Sequence, residues 1–168
     1  MNSIVRDLIE KYKLKPLAVE NTYYCQTYVS QEKDQNGIPA MTVMYGLYCN
    51  DPVSVSCFHR LSRDETWCFY EGDPIHLYLL YPDGSDKEVV LGADCSKGEV
   101  YQYTIPAGVW QGGCLDQAGT YALYGCIVAP GFTPDCFEAA VAGELSERYP
   151  KMECIIHKLN VNQGIRFM

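Results

Sequence analysis

The sequence lacks any apolar run of the length that a membrane span needs, which is about 20 residues. Its first residues, MNSIVRDLIEKYKL, also lack the long apolar stretch of a secretory signal peptide. From these two absences we expect a cytoplasmic protein with no membrane partner.

Basic residues are scarce relative to acidic ones. Lys and Arg number 13 against 21 Asp and Glu, so the formal net charge is −8. A nucleic-acid-binding protein needs a basic face to neutralise phosphates, and an anionic membrane surface attracts basic segments. The charge therefore argues against both kinds of partner. It does not exclude a small anionic ligand, because a local pocket can differ in sign from the whole protein.

Cysteine is abundant, with nine residues, but no two are arranged as C-x-x-C. That absence argues against a zinc knuckle and against a thioredoxin-type redox motif. An odd number of cysteines, without a secretory signal, predicts thiols in a reducing compartment.

The length of 168 residues fits one domain, which we predict to cover residues 1–168. Apolar residues recur at helical spacing near the N-terminus, and Ser3 can cap the helix that they predict within residues 1–16. Residues 139–168 again show helical periodicity, and Pro150 divides this tail into two short helices.

The middle of the chain, residues 20–138, reads as a series of short strands. Runs rich in Tyr, Val and Leu alternate with turn signals such as QNGIP, NDP, EGDP and PDGSD. The gaps between the runs leave no room for crossover helices, which argues against a parallel α/β sheet. The pattern predicts an antiparallel barrel or sandwich.

One histidine stands in a pattern that attracts attention. His59 lies six residues before Glu65, a spacing that can place both side chains on one face of the barrel wall, unless the intervening SRD forms a tight turn and resets the register. Gln111 lies in a second segment, YTIPAGVWQGG, and can face both residues if its strand lies beside that of His59. These three side chains form the candidate site.

The two segments resemble the two motifs of the cupin superfamily. HRLSRDETWCFYEG resembles the first motif, H-x-H-x3-E-x6-G, with His59, Glu65 and Gly72 in place and Leu61 where the second histidine stands. PAGVWQ resembles the second motif, P-x-G-x2-H, with Gln111 where its histidine stands.

A closer resemblance is to one branch of the superfamily, the fifth cupin family, a domain of unknown function. The segments SCFHR, DETWCFYEGDP, PAGVWQ and GCIVAPGF are similar to its pattern, and the likeness spans nearly the whole chain. A further segment, ENTYYCQTYVS, departs from the family pattern, because Cys25 and Val29 stand where arginines are usual.

The resemblance implies a mainly β fold, the cupin double-stranded β-helix or jelly-roll barrel, with an N-terminal helix and short C-terminal helices. It also implies a ligand pocket inside the barrel, a likeness in fold to sugar-nucleotide 3,5-epimerases, and a homodimer.

A metal centre is the weaker interpretation of the site. Cupin centres normally use three histidines and a glutamate, and non-haem iron sites commonly use two histidines and a carboxylate. This sequence offers His59, Glu65 and Gln111, of which the amide is a weak ligand. We favour a hydrogen-bonded cluster without a cofactor, and a divalent metal held by these three residues is the alternative.

Acid–base catalysis is another reading of the same residues. His59 can act as a general base beside Glu65, and a tyrosine can return the proton, as an epimerase or isomerase requires. Tyr103 is our choice for this acid, with Tyr101 and Tyr124 as alternatives.

The remaining candidates are aromatic. Trp67 and Phe69 share the parity of Glu65, so they either line a ligand pocket or fill the barrel core. Phe132 ends the family-like GCIVAPGF segment. We place these three with His59, Glu65 and Gln111 as ligand-binding residues.

The sequence thus predicts a cupin that binds a small polar metabolite of a carbohydrate-like kind, with epimerase or isomerase activity as its catalytic form. The alternatives are a non-catalytic ligand-binding or sensing module, and a metal-dependent enzyme.

Overall fold

The computed structural model describes residues 2–17 and 22–160. Within them the chain forms an N-terminal helix, eleven strands and two short C-terminal helices. The helices are α1 (Ser3–Tyr12), α2 (Ala142–Arg148) and α3 (Glu153–Leu159). The strands are β1 (Lys15–Leu17), β2 (Thr22–Val29), β3 (Thr42–Cys49), β4 (Val55–Leu61), β5 (Asp64–Gly72), β6 (Ile75–Leu80), β7 (Asp86–Leu91), β8 (Gln102–Ile105), β9 (Trp110–Leu115), β10 (Tyr121–Ala129) and β11 (Phe137–Ala139).

The strands form two sheets that pack face to face. One sheet has six strands in the order β1-β2-β3-β10-β5-β8, and the other has five in the order β11-β4-β9-β6-β7. Neighbouring strands within each sheet run antiparallel. The chain crosses from one sheet to the other between β4 and β5, at Ser62 and Arg63. This architecture confirms the predicted jelly-roll barrel with helices at both ends of the chain.

The main core lies between the sheets, where alternate strand residues point inward. It is rich in aromatic and branched side chains, among them Tyr48, Trp67, Phe69, Leu77, Leu79 and Tyr124. A second core lies outside the five-stranded sheet, where α2 and α3 bury Phe58, Leu145, Tyr149, Ile156 and Leu159. A third lies outside the six-stranded sheet, where α1 buries Val5 and Leu8 against Leu47 and Leu123.

The helix boundaries follow local chemistry. Asn2, rather than the predicted Ser3, caps α1, because its side-chain oxygen accepts a hydrogen bond from the backbone N–H of Ile4 at 2.8 Å. Ser3 is instead the first helical residue. In the C-terminal part, Pro150 begins a single 3-10 turn between α2 and α3, which confirms the predicted division of the tail. The last stretch of that predicted tail, residues 161–168, lies outside the described residues.

Among the described residues, no helix combines the length and the apolar character that crossing a bilayer requires.

Candidate functional site

Glu65, Gln111 and Trp67 form a hydrogen-bonded network across the barrel interior. The Gln111 amide nitrogen donates to a Glu65 carboxylate oxygen at 2.7 Å, and the Trp67 indole N–H donates to the Gln111 amide oxygen at 3.0 Å. Because an indole nitrogen only donates, this contact fixes the orientation of the amide. Glu65 is 8 % exposed, Gln111 2 % and Trp67 3 %. The network therefore joins the two sheets, since β5 and β9 belong to different ones.

Cys126 is a member of this network that the sequence did not single out. It lies beside Trp67 in the register of β10 and β5, and it is fully buried. Burial raises the pKa of its thiol well above the usual value, and the charge of Glu65 and a hydrogen bond to it act in the same direction. The thiol therefore stays protonated. The inward parity of β10 was the available signal, because Tyr124 and Val128 flank Cys126 at alternate positions.

A β-bulge in β4 sets the direction of His59. Ser56 is paired with Gly113 of β9, and His59 is paired with Gln111, so three residues of β4 span two of β9. Both paired positions lie on the inner face: the Ser56 hydroxyl oxygen accepts a hydrogen bond from the buried Tyr48 hydroxyl at 2.5 Å. Phe58, between them, points outward into the core beneath α3. The bulge therefore returns His59 to the inner face, next to Gln111.

The His59 ring is held on one side and open on the other. Its Nδ1 lies 2.8 Å from the backbone carbonyl of Cys57, and the ring of Phe137 stacks on it at 5.1 Å between centroids. A carbonyl oxygen can only accept, so Nδ1 carries a proton and Nε2 of the neutral ring carries a lone pair. Within residues 2–17 and 22–160, Nε2 has no hydrogen-bond partner. His59 itself is half-buried.

The candidate residues thus fall into two groups on the inner face. Glu65 and Gln111 are bonded to each other, whereas His59 neighbours Gln111 through the strand register without a direct bond to either side chain. Phe69 lies in the main core. Phe132 is 37 % exposed in the loop after β10, where its backbone N–H donates to the Thr42 hydroxyl at 2.8 Å.

Tyr103 belongs to a separate polar cluster at the opposite seam of the barrel. Its hydroxyl lies 3.3 Å from that of Tyr81 and accepts from the Lys87 ammonium at 3.2 Å. The hydrogen bond from Tyr81 is the main cause that lowers the pKa of Tyr103, and the hydrogen bond from Lys87 acts in the same direction. Burial is the main cause that raises the pKa of Tyr81 to about 12. His59, Gln111, Leu79 and Lys87 occupy one row across β4, β9, β6 and β7. Three strand spacings place the ends of that row about 14 Å apart.

The alternative acids lie elsewhere. Tyr124 is buried in the main core, where its ring stacks on Trp67 at 4.7 Å. Tyr101 is 55 % exposed.

The three proposed metal ligands do not fit a cupin metal centre as the structure arranges them. The amide oxygen of Gln111 is already engaged by Trp67, and only one of the three proposed ligands is a histidine. In the described part of the chain, no cluster of three or more His, Cys, Asp or Glu side chains could hold a metal ion.

Arg63, at the crossing between the sheets, is a buried residue outside the set of candidate site residues. Its side chain is 8 % exposed, donates to the backbone carbonyl of Gly131, and lies 3.6 Å from an Asp135 carboxylate oxygen. It thereby fixes the loop that carries Phe132. A buried arginine has no distinctive local sequence pattern, since charged residues usually remain exposed.

Comparison with known proteins settles the family. The family described as "Cupin superfamily (DUF985)" matches residues 6–140. The chain belongs to this family. The match confirms the resemblance drawn from the two motifs, and this cupin retains the glutamate of the first motif while Gln111 replaces the histidine of the second.

Solved structures agree with this assignment. This cupin is similar to a protein from Shewanella oneidensis, with 33 % identity and a TM-score of 0.84 over 95 % of this chain and 97 % of that one. It is also similar to a hypothetical protein from Leishmania major, with 32 % identity and a TM-score of 0.81 over 92 % and 97 % of the two chains.

A more distant structure shares the fold alone. A cupin 2 conserved barrel domain protein from Rhodopseudomonas palustris is 15 % identical, with a TM-score of 0.51 over 76 % of this chain and 72 % of that one. Among proteins with curated descriptions, none matches the chain.

Proposed function

We propose that this cupin binds a small polar metabolite, of a carbohydrate-like kind, at His59 on the inner face of the barrel. The family and the cupin fold support a small-molecule site within the barrel. The observation that carries the proposal is the state of the His59 ring, which is fixed at one nitrogen and open at the other.

The ring offers a ligand two kinds of contact. Nε2 can accept a hydrogen bond from a hydroxyl group, and the bond from Nδ1 to the Cys57 carbonyl keeps it in that state. Phe137 beside it supplies an apolar ring face, on which the C–H groups of a sugar can pack. Both side chains are half-buried, so solvent reaches them.

The buried network supports this position from behind. Gln111 is held on both sides, by Glu65 and by Trp67, so it gives His59 a rigid neighbour on the adjacent strand. Because the hydrogen-bonding groups of Glu65, Gln111 and Trp67 are paired with one another, we assign these residues to the wall of the site and not to direct contacts with the ligand.

Isomerisation or epimerisation is the second candidate, and the free lone pair of Nε2 favours it. A histidine in this state can remove a proton next to a carbonyl group. Tyr103 accepts a hydrogen bond from Lys87, which lies three strands from His59 in the row across β4, β9, β6 and β7, so the proton would have to return through another group or through water. For this reason we place binding first.

Native mass spectrometry with a panel of monosaccharides and sugar phosphates tests the proposal. We expect at least one panel member to bind, and His59→Ala to abolish its binding. His157→Ala is the matched control, because that side chain is 59 % exposed and lies on α3. Retained binding in His59→Ala, or no binding of any panel member to the wild-type protein, would overturn the proposal.

The same samples distinguish an isomerase from a non-catalytic sensing module. Transfer of deuterium from solvent to a bound keto-sugar supports isomerisation, whereas binding without exchange supports a sensing module. The predicted homodimer stays a prediction, and the mass of the native assembly in these spectra tests it.

A further inference from the structure

A cleft outside the barrel is lined by charged and apolar side chains that take no part in the barrel site. It lies between the outer face of β4, β9 and β11 and the helix α2, and has a volume of about 330 Å³. We call it the α2 cleft and define it by Arg60, Trp110, Glu138, Val141, Glu144 and Arg148. The buried network of Glu65, Gln111 and Trp67 takes no part in its lining.

Arg60 and Glu138 form its fixed wall. The Nε and Nη2 groups of Arg60 donate to the two carboxylate oxygens of Glu138, at 2.8 and 3.0 Å. The guanidinium also lies over the Trp110 ring, 4.5 Å from its centroid. These two charges neutralise each other, and the Nη1 group of Arg60 remains as a donor that no described residue uses.

Glu144 and Arg148 form the opposite wall, one helical turn apart on α2. Arg148 donates to the Pro82 carbonyl at 2.6 Å, which holds its side chain in place. In the described part of the chain, neither Glu144 nor Arg148 forms an ion pair. The cleft therefore presents one uncompensated cation and one uncompensated anion.

The floor between these charges is apolar. Trp110 is half-buried, Leu145 is buried, and Val141 is 56 % exposed at the rim. A ligand that covered Val141 would remove apolar surface from water.

From this arrangement we propose that the α2 cleft binds a small zwitterion with an apolar side chain, of the amino-acid class. Its carboxylate takes the donors of Arg148 and the free edge of Arg60, and its ammonium group takes Glu144. Its side chain covers Val141 and the edge of Trp110. A simple anion would leave the Glu144 carboxylate without a partner, and the two negative charges would repel each other.

Proton NMR of the two tryptophan indole N–H groups tests the proposal. The probes are leucine, isocaproate and isoamylamine, which share one branched side chain. Leucine carries both charges, isocaproate carries only the carboxylate, and isoamylamine carries only the ammonium group. We expect leucine to shift the Trp110 resonance and to leave that of Trp67 unchanged. Each single-charge analogue should bind about tenfold more weakly.

Matched variants locate the binding. Arg148→Gln and Glu144→Gln should each weaken leucine binding about tenfold, whereas Glu147→Gln on the same helix should not change it, because Glu147 is exposed and does not line the cleft. His59→Ala should also leave leucine binding unchanged, which separates this site from the barrel site. An unmoved Trp110 resonance, isocaproate binding as tight as leucine, or an equal effect of Glu147→Gln would each overturn the proposal.

Discussion

The phenol ring of Tyr124 on β10 lies over the α-carbon of Gly46 on β3, in the space where a β-carbon would project. The two residues are paired in the register of these strands. Tyr124 also stacks on Trp67 and packs against Tyr48 in a tilted arrangement, so the absence of a side chain at position 46 allows the aromatic core to assemble. Gly46 is therefore a packing requirement of the barrel interior.

Gly46→Ala is expected to destabilise the protein by about 2 kcal/mol, because the added methyl group displaces the Tyr124 ring from a packed core. Urea unfolding measures the change. The control is Gly143→Ala, since a β-carbon there meets no atom within 4 Å. That substitution lies on α2 and should raise the stability by about 0.5 kcal/mol. Equal effects of the two substitutions would contradict this account.

Gln111→Leu is expected to lower the free energy of unfolding by about 3 kcal/mol, because it leaves the buried Trp67 N–H without an acceptor and removes the amide donor from the buried Glu65 carboxylate. The matched control is Gln102→Leu, an exposed position on β8. Urea unfolding of both variants provides the comparison. If Gln111→Leu proves as mild as its control, the network does not join the sheets energetically.

Glu65→Gln is expected to preserve the fold and to reduce ligand binding at His59. The new amide oxygen can still accept from Gln111, while the charge beside the site is lost. Circular dichroism and the sugar panel measure the two effects, with Glu71→Gln, an exposed position on the same strand, as control. Global unfolding of Glu65→Gln would show that the carboxylate is structural.

The raised pKa of Tyr78 makes the free energy of unfolding depend on pH in the alkaline range. Burial, followed by the neighbouring Cys114 and Glu88, raises its pKa from 10.0 to about 12. Between these values the unfolded chain has lost the proton that the folded protein keeps, so the free energy of unfolding falls as pH rises. Tyr78→Phe removes this contribution and should flatten the decline.

Urea unfolding at several pH values across that window provides the measurement. Tyr28→Phe, at an exposed position, is the control. A decline of the same slope in Tyr78→Phe and in the wild-type protein would show that other groups cause it.

The fold was predictable from the sequence because its signals are local and repeated. Turn residues at short intervals defined the strands, and Pro150 divided the tail helix. The cap of α1 was misplaced by one residue, since Asn2 and Ser3 are both good caps and only the backbone geometry chooses between them.

The site was less accessible to such reasoning. Parity along one strand does not relate His59 to Glu65, because the chain changes sheets between them, at Ser62 and Arg63. Nothing in the sequence indicated that Trp67 would engage the Gln111 amide, or that the Cys126 thiol would meet Glu65, since both contacts cross between distant strands.

Because β4 pairs irregularly with β9, two adjacent residues of this strand face opposite sides of the sheet. Phe58 anchors the C-terminal helices on the outside, and His59 faces the interior. Removing one residue from the segment 56–58 would exchange these roles, exposing an anchor and burying an imidazole beneath the helices. Insertions and deletions there should consequently be far less tolerated than substitutions, and a deep mutational scan would show it as a narrow zone intolerant of length change.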